Sequence, residues 1–311
     1  MDTQKHAVHL HRVTEYTEEA IRPHIENFLS NHSKSYGSYV GKSILVKPNL
    51  VAKSNVSLAC THPVVVTTTC KVLRDMGANV TVGDSPAFGS ANHVAKGNGL
   101  QQALHKIDIP LISLDKPIPL HLSFGKDIGI SSRALERDLV VNLPKFKAHI
   151  QFRITACVKN LFGCVSGFRK ALAHTRFGPQ SGMLEKVVVE TMLALPETIN
   201  ILDGITAMHV TGPIKGQAYP MHMLGCCDHA PAMDTALYTL LKLTPEVVPV
   251  WPELLSRGIS GTKANSLHFP DENLNRFDAK DFQLDNSLDP MEFEKVRFIR
   301  GRVKSLLSHF K

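Results

Sequence analysis

The sequence predicts an α/β protein, with a largely parallel sheet, flanking helices and two lobes that hold a site between them. Short apolar segments alternate with helical patterns along the chain, which is typical of a parallel sheet with crossover helices. The 311 residues also exceed the length of one ordinary domain. We therefore divide the chain into an N-terminal α/β lobe, residues 1–138, and a second α/β lobe, residues 139–311, which ends in an amphipathic helix.

The first strand–helix–strand unit is the clearest. Residues 43–51, SILVKPNLV, form a short apolar strand that ends near Pro48, because proline cannot donate to a β ladder. A helix is predicted from Pro63, a residue suited to the first turn, to Gly77, a residue suited to a left-handed C-terminal cap. A second strand over 79–86 completes the unit, which predicts a parallel pair with a right-handed crossover.

The later elements follow the same alternation. Residues 87–137 are less regular and include three prolines, and a strand is predicted over 139–143. A further strand ends at Asp203, and a helix follows over 231–242. The tail over 293–307 is predicted to be a helix with an apolar stripe that packs on the body and a basic face in solvent.

Composition excludes several classes of protein. The chain has 35 Lys and Arg against 28 Asp and Glu, and no apolar run approaches the roughly 18 residues of a membrane span. The start lacks the apolar region of a secretory signal. Six cysteines are too sparse for a disulfide scaffold in a chain of this length, so we expect reduced thiols and a cytoplasmic location.

One window of the chain is cationic and contains no acid. Between Leu139 and Leu184 there is no Asp or Glu, yet seven Lys or Arg residues occur. If the segment from Lys145 to His149 is extended, Lys145, Lys147 and His149 share one face, since side chains alternate along a strand. Their repulsion would then be relieved by a bound anion. The alternative is that carboxylates from elsewhere in the chain pair with them.

The unusual polar residues follow the ends of the predicted strands. In open parallel sheets, ligands bind beyond the carboxyl ends of the strands, so these residues are predicted to meet at one rim. We expect ten of them to bind substrate: Lys47, Asn49, Thr61, His62, Ser85, Lys145, Lys147, Lys159, Asn160 and Lys170.

Three residues are candidates for catalysis. His149 and His174 titrate near neutral pH and suit proton transfer, and Asp84 follows a strand beside Ser85. Asp84 and Asp203 are also candidate ligands for a divalent metal. A structural role for both aspartates in turns is the common alternative.

Familiar cofactor motifs are missing from the sequence. No GxGxxG fingerprint occurs, and GSYVGKS at 37–43 differs from a phosphate-binding P-loop because its glycines are one residue too close and it precedes a strand. No CxxC pair occurs, which argues against a zinc site or ferredoxin-type cluster encoded by local spacing. The cofactor, if there is one, is not identified by sequence.

The order of the motifs resembles the family called "domain of unknown function 362", from about Val40 to Leu243. The PKxKxH and KNLFG pair is the most specific part of the resemblance. The matching residues are Lys47-Pro48-Asn49, Thr61-His62-Pro63, Gly83-Asp84-Ser85-Pro86, NLPKFKAH, VKNLFG, Lys170, His174, Asp203-Gly204, Gly212-Pro213, Gly216 and Asp234. Members are often fused to ferredoxin-type iron–sulfur modules, so the resemblance also implies a redox role, although the cysteines of those modules are absent here.

Three functions remain open. The set of candidate lysines, histidines and aspartates favours an enzyme that acts on a small metabolite bearing a carboxylate or phosphate, by isomerisation or proton transfer. The alternative is a redox or metallocofactor-linked electron-transfer protein. A nucleic-acid binder is a third hypothesis, and the 6% aromatic content argues against it because few rings are available for base stacking.

Overall fold

The computed structural model describes residues 5–51, 56–86, 89–178, 182–285 and 287–288, so the predicted helix over 293–307 lies outside the described residues. The first part of the chain alternates strands and helices. The elements are β1 (His6–Ala7), β2 (His9–Arg12), α1 (Glu18–Tyr36), β3 (Ser43–Pro48), α2 (Val56–Ala59), α3 (Pro63–Asp75), β4 (Asn79–Asp84), α4 (Ala91–Gly97), α5 (Leu100–Lys106), β5 (Leu111–Ser113), β6 (Pro117–Leu122), β7 (Lys126–Ser131) and α6 (Ser132–Leu135).

The second part begins with three consecutive strands. Its elements are β8 (Leu139–Leu143), β9 (Lys145–His149), β10 (Arg153–Thr155), α7 (Cys157–Leu161), α8 (Arg169–Phe177), α9 (Met183–Leu193), β11 (Thr198–His209), β12 (Gln217–Tyr219), β13 (Met223–Cys227), α10 (Ala230–Leu240), α11 (Val250–Ser256) and β14 (Leu267–His268). Short 3-10 turns lie at Phe162–Cys164, Pro245–Val247, Ala264–Ser266 and Leu274–Arg276.

The predicted strand–helix–strand unit is confirmed. β3 and β4 pair in parallel, and α3 joins them. The His62 side chain caps α3 by accepting a hydrogen bond from the Val64 amide, and Pro63 occupies the first turn. Gly77 has a φ of +87°, the left-handed conformation expected of a residue that ends a helix.

Two sequence-based expectations need correction. The less regular region of 87–137 contains α4, α5, β5 and the β6–β7 hairpin, whose elements are too short to give a periodic pattern. The strand predicted to end at Asp203 continues to His209. β11 runs on because it pairs with β8 at its start and with β9 farther along, with a register shift between Asp203 and Met208.

The central sheet is mixed but largely parallel, which confirms the α/β class. Its main path is β10-β9-β11-β8-β3-β4-β5, and β12, β13 and β2 extend it from β11. The pairs from β9 through β5 are parallel, whereas β10, β12, β13 and β2 join antiparallel. The boundary proposed at residue 138 precedes β8, which pairs with β3 in this same sheet; the division into lobes stays a prediction.

A hydrophobic core lies on each face of the sheet. Along β3, Ile44 and Val46 face the core beneath α1, α3 and α5, while Leu45 faces the core beneath α7, α9 and α10. This alternation places Lys47 on the α7 side, because side chains two residues apart share a face. None of the helices within the described ranges is long and apolar enough to cross a lipid bilayer.

Candidate functional site

A cavity of about 110 Å³ opens at the carboxyl ends of β3 and β4, between β9 and α7. Its volume corresponds to about four water molecules at ~30 Å³ each. The lining contains four lysines and two histidines among its fifteen residues: Lys47, Asn49, Leu50, Val51, Asp84, Lys147, His149, Thr155, Lys159, Asn160, Phe162, Gly163, Lys170, His174 and Pro213. The position agrees with the rule that ligands bind where parallel strands end.

Lys47 and Asp84 form a buried ion pair on one wall. The ammonium lies 3.0 Å from Oδ1 of Asp84 and donates to the Pro48 carbonyl, while Oδ2 of Asp84 accepts from the Leu50 amide at 2.7 Å. A β-carbon at Gly163 would overlap the Lys47 ammonium, which explains why this wall requires a glycine. The pair is electrically balanced.

Lys147, in contrast, is held by neutral groups. Its ammonium donates to Oδ1 of Asn49 at 2.8 Å and to the Ala59 carbonyl at 2.6 Å. Burial lowers the pKa of Lys147 to about 7, because desolvation penalises the charged form. Lys147 therefore holds a labile proton beside the cavity.

A chain of buried asparagine amides supports Lys147. Lys147 can only donate at one end and a carbonyl can only accept at the other, so the orientation of every amide in the chain is fixed. The links are Asn49 Nδ2 to Asn160 Oδ1 (2.7 Å), Asn160 Nδ2 to Asn142 Oδ1 (2.8 Å), Asn142 Nδ2 to Asn200 Oδ1 (2.8 Å) and Asn200 Nδ2 to the Cys227 carbonyl (3.2 Å). The chain ties the cavity to β8 and β11.

Asp234 fixes the start of α7, the short helix that carries Lys159 and Asn160. Its carboxylate accepts from the amides of Cys157 at 2.6 Å and Val158 at 3.1 Å. Burial raises the pKa of Asp234 to about 7, and these two hydrogen bonds oppose the rise. Asp234 lies outside the cavity lining and acts on it by positioning α7.

Lys159 and Lys170 have no carboxylate within ion-pair distance among the described residues. The Lys159 ammonium lies 4.6 Å from the ring centre of Phe152 and 4.4 Å from that of Phe162. Burial, followed by repulsion from Lys170, holds the pKa of Lys159 well below its usual value. The two rings favour the cation by only about 0.5–2 kcal/mol each, whereas desolvation costs several kcal/mol, so the downward shift prevails.

Lys170 extends the cationic lining from α8. Burial lowers its pKa to about 8, although the nearby Asp84 carboxylate opposes the shift. Lys147, Lys159 and Lys170 thus form a set of three amines, which we call the open lysines, and only Lys47 of the lining lysines has a carboxylate partner in the described part of the chain.

The two cavity histidines have complementary tautomers. The backbone amide of Gln151 donates to Nδ1 of His149, so a neutral His149 carries its proton on Nε2. The side-chain oxygen of Gln151 lies 2.6 Å from Nδ1 of His174, so a neutral His174 carries its proton on Nδ1. Burial lowers the pKa of both rings well below 6.5, which keeps them neutral at physiological pH. One imidazole thus presents a donor and the other an acceptor.

Lys145 belongs to a second, closed cluster with Asp203, Tyr16 and His62, and does not line the cavity. Its ammonium lies 2.9 Å from both Oδ2 of Asp203 and the Tyr16 hydroxyl, and this hydroxyl donates to Oδ1 of Asp203 at 2.8 Å. The backbone amide of His62 donates to Oδ2 of Asp203 at 2.9 Å. The anion at the start of α3 is therefore a carboxylate of this protein and not a bound ligand. For Lys145 the alternative stated for the cationic segment therefore applies, since a carboxylate from elsewhere in the chain pairs with it.

The structure brings nine of the predicted residues together at the cavity: Lys47, Asn49, Asp84, Lys147, His149, Lys159, Asn160, Lys170 and His174. The other four predicted substrate-binding residues, Lys145, Thr61, His62 and Ser85, lie outside the lining. The Thr61 hydroxyl accepts a hydrogen bond from the backbone amide of Asn49 and donates to the Leu143 carbonyl. The Ser85 hydroxyl accepts from the backbone amide of Gly167. His62 stacks on Tyr16 with ring centres 3.8 Å apart.

Several residues of the site were not found from sequence. Asn142 and Asn200 belong to the hydrogen-bonded chain behind the cavity. Asn142 could have been found from sequence, because it is the one polar residue in the strand LVVNL. Pro213 reaches the cavity because Gly212 packs against the Ala148 carbonyl, where a β-carbon would clash. Tyr16 precedes α1 and gives no local signal of its role.

The structure gives less support to the predicted metal site than to the predicted cavity residues. Among the described residues, no three His, Cys, Asp or Glu side chains are grouped so that they could hold a metal ion. Asp84 and Asp203 each face an ammonium instead. All six cysteines are buried, and none of them forms a disulfide bond. A divalent metal stays a prediction.

The family model described as "domain of unknown function (DUF362)" matches residues 44–239, from β3 to α10. The chain belongs to this family. All the residues that line the cavity lie inside the DUF362 match, as do Asn142, Asn200 and Asp234 of its support.

A curated relative of this DUF362 chain is the thylakoid-associated protein sll1697 of Synechocystis sp., which is 33% identical over 284 residues, or 88% of this chain and 86% of the relative. Two solved structures are more distant. The lactate racemase apoprotein of Thermoanaerobacterium thermosaccharolyticum has 14% identity and a TM-score of 0.42, with 64% of this chain and 51% of that chain covered. A protein of Thermotoga maritima has 10% identity and the same TM-score, with 67% and 55% covered. The chain thus spans about half the length of each solved structure.

Proposed function

We propose that this protein is an enzyme that binds a small anionic metabolite in the cavity and transfers a proton on it. The observation that carries the proposal is the excess of amines: three open lysines line a space that has one carboxylate, and that carboxylate is paired with Lys47. A carboxylate or phosphate bound there would satisfy all three. The cavity has room for an anionic group of about the dimensions of phosphate or a short carboxylic acid.

Proton transfer is supported by the two histidines. The unprotonated Nε2 of His174 would accept the proton in an isomerisation or carbon-proton abstraction, and the Nε2–H of His149 would donate a hydrogen bond to the substrate oxygen that gains negative charge. The open lysines would stabilise negative charge that develops beside the bound anion, as fixed cations do in a low-dielectric site. Lys147 and Lys170 would contribute most, since ligand charge favours their protonated forms.

Other assignments stay predictions. No described feature favours the redox protein or the nucleic-acid binder over the metabolite enzyme. The name of the Synechocystis relative makes association with thylakoids an alternative to the cytoplasmic location.

The anion site is tested by thermal unfolding with inorganic phosphate, oxalate and malonate, with glycerol as the uncharged comparison. A ligand at a hundred times its Kd adds about 2.7 kcal/mol of stability to the folded state. We expect at least one anion to raise the Tm of the wild-type protein, and the Lys147→Met and Lys170→Met variants to lose the increase. Lys126→Met is the matched control, because Lys126 is exposed on β7. An equal response in all four proteins would place anion binding elsewhere.

Proton transfer is tested by NMR in D₂O. Small 2-oxo and 2-hydroxy acids are incubated with the protein, and deuterium is followed at the carbon that carries or adjoins the oxygen function. General acid–base catalysis contributes on the order of 10²–10⁴-fold, so His149→Gln and His174→Gln should lower the exchange rate by amounts in this range. If anions bind but no acid exchanges, the protein is an anion-binding protein and not this type of enzyme.

A further inference from the structure

Lys159 is held differently from every other lysine of the cavity. Lys47 faces a carboxylate and Lys147 donates two hydrogen bonds, but the amine of Lys159 rests between the rings of Phe152 and Phe162. Among the described residues, no hydrogen-bond acceptor or carboxylate pairs with it. An amine in such surroundings keeps its nitrogen lone pair available whenever it is unprotonated.

The charges around Lys159 favour the unprotonated form. The groups that act on it are Lys170, Lys147 and Lys47, all cations, and burial adds the larger effect in the same direction. A lysine beside other cations in an apolar pocket is the recognised arrangement for an amine nucleophile. The rings also leave the amine facing the cavity, which it lines.

We propose that Lys159 is a nucleophile that forms an imine with a short aldehyde or ketone, whose neighbouring carboxylate or phosphate is held by Lys147 and Lys170. This inference rests on the proposed function and names its substrate class: carbonyl compounds with an anionic group close to the carbonyl carbon. The cavity volume admits compounds of the size of glyoxylate or pyruvate.

The step is balanced without an oxidant or reductant. The nitrogen lone pair of Lys159 forms a bond to the carbonyl carbon, and the carbonyl oxygen takes up a proton as the nitrogen loses one, which gives a carbinolamine. The C–O bond then breaks, the hydroxyl leaves as water with a second proton, and the C=N bond forms. Amine and carbonyl compound become imine and water.

The two histidines would assist formation of the imine, and the imine would assist the proposed proton transfer. The unprotonated Nε2 of His174 can take up the proton that the Lys159 nitrogen loses and return it to the leaving hydroxyl, while the Nε2–H of His149 donates a hydrogen bond to the same oxygen. A protonated imine withdraws electrons from the adjacent carbon and so acidifies its C–H bond. The imine would therefore assist the proton transfer proposed for this site.

The experiment traps the imine in the full-length protein. Wild-type protein is incubated at about pH 7.5 with glyoxylate, pyruvate or glycolaldehyde phosphate in the presence of sodium cyanoborohydride, which reduces an imine to a stable secondary amine. Chymotryptic peptides are then mapped by mass spectrometry. An ordinary lysine of pKa about 10.4 is about 0.1% neutral at this pH, so we expect the adduct on Lys159 to be the dominant product and to exceed that on any exposed lysine.

Variants separate this inference from the proposed function. Lys159→Arg retains a basic side chain but cannot form the imine, so it should lose the adduct at position 159 and keep only the slow labelling of exposed lysines, while Lys126→Met should be modified at Lys159 as the wild type is. Malonate should slow trapping if the anionic group binds at the open lysines. Because the wild-type peptide map alone locates the adduct, a poorly folded variant does not weaken the test.

Each outcome of the trapping experiment either supports or overturns the role of Lys159 as the nucleophile. No adduct with any of the three probes, or similar labelling of Lys159 and exposed lysines, overturns the imine. If phosphate or malonate still raises the Tm in that case, the proposed anion site stands without it. A dominant adduct on Lys170 or Lys147 would assign the nucleophile to another open lysine and would also overturn the role of Lys159.

Discussion

Lys145 and Lys147 are two residues apart on β9, both buried, and their surroundings differ. Lys145 lies in a closed cluster in which Asp203 balances its charge and Tyr16 and His62 complete the hydrogen bonds of the carboxylate. Lys147 donates only to an amide oxygen and a carbonyl, and it faces a cavity with two further amines. The charge of Lys145 is thus balanced by a carboxylate of the protein, whereas the partners of Lys147 are neutral.

Energetics explain why both arrangements persist. A buried ion pair with satisfied hydrogen bonds can hold three sequence-distant segments together, since removal of either partner leaves a buried charge alone. A cluster of amines without carboxylates is costly in the empty protein, and a ligand would relieve that cost. The asparagine chain from Asn49 to Asn200 keeps the open side in place although its charges are not balanced.

The largest contrast is expected between methionine variants of the two lysines. Lys145→Met leaves the Asp203 carboxylate buried without its cation, so it should lower the free energy of unfolding by about 3–5 kcal/mol. Lys147→Met leaves two buried acceptors without a donor, at a cost of about 1–3 kcal/mol, but it also removes a desolvated cation, which offsets this cost. Its loss of stability near pH 7 should therefore be clearly smaller than that of Lys145→Met. Urea unfolding of both variants measures the difference.

A double variant checks the reason for that contrast. Lys145→Met combined with Asp203→Asn should be more stable than Lys145→Met alone, because the lone carboxylate is gone. Equal losses for the two single methionine variants, or no recovery in the double variant, would show that the distinction between a closed and an open cluster is wrong.

A smaller effect is expected from the asparagine chain. Asn142→Leu preserves the approximate size of the side chain but leaves the amide of Asn160 and the oxygen of Asn200 without their partner. We expect a loss of about 1–3 kcal/mol, typical of buried groups that lose a hydrogen bond, together with weaker anion binding. Asn27→Leu on the exposed surface of α1 is the control. Unchanged anion affinity in Asn142→Leu would mean that the chain supports the fold alone.

The last prediction concerns the change that Lys147 causes in the free energy of unfolding per unit of pH. Its pKa of about 7 in the folded protein lies below the ~10.4 expected in the unfolded chain, so the unfolded chain binds more protons between these values. Stability from this group therefore rises with pH across that window, by less than about 1.4 kcal/mol per unit. The free energy of unfolding of wild type, relative to Lys147→Met, should increase from pH 7 to pH 10. A flat difference would give Lys147 an ordinary pKa.

Local patterns were good guides to part of the site. The strand ends placed Lys47, Asn49 and Asp84 at one rim, and the acid-free segment contained Lys147 and Lys159. The same patterns failed for Lys145, because its partner lies 58 residues away on β11. They also failed for the end of β11, since a Gly next to an Asp signals a turn although both are here buried in the sheet.

The sequence by itself determined the α/β class, the first residues of β3, α3, β4 and β8, and the density of cations around α7. These features depend on residues that are neighbours in the chain, such as a proline that ends a ladder or alternating apolar side chains. Only the tertiary structure decided which buried lysine has a carboxylate and which does not. The reason is physical: the cost of a buried charge is set by the groups within a few ångströms, and for Lys145 and Lys147 those groups come from distant segments.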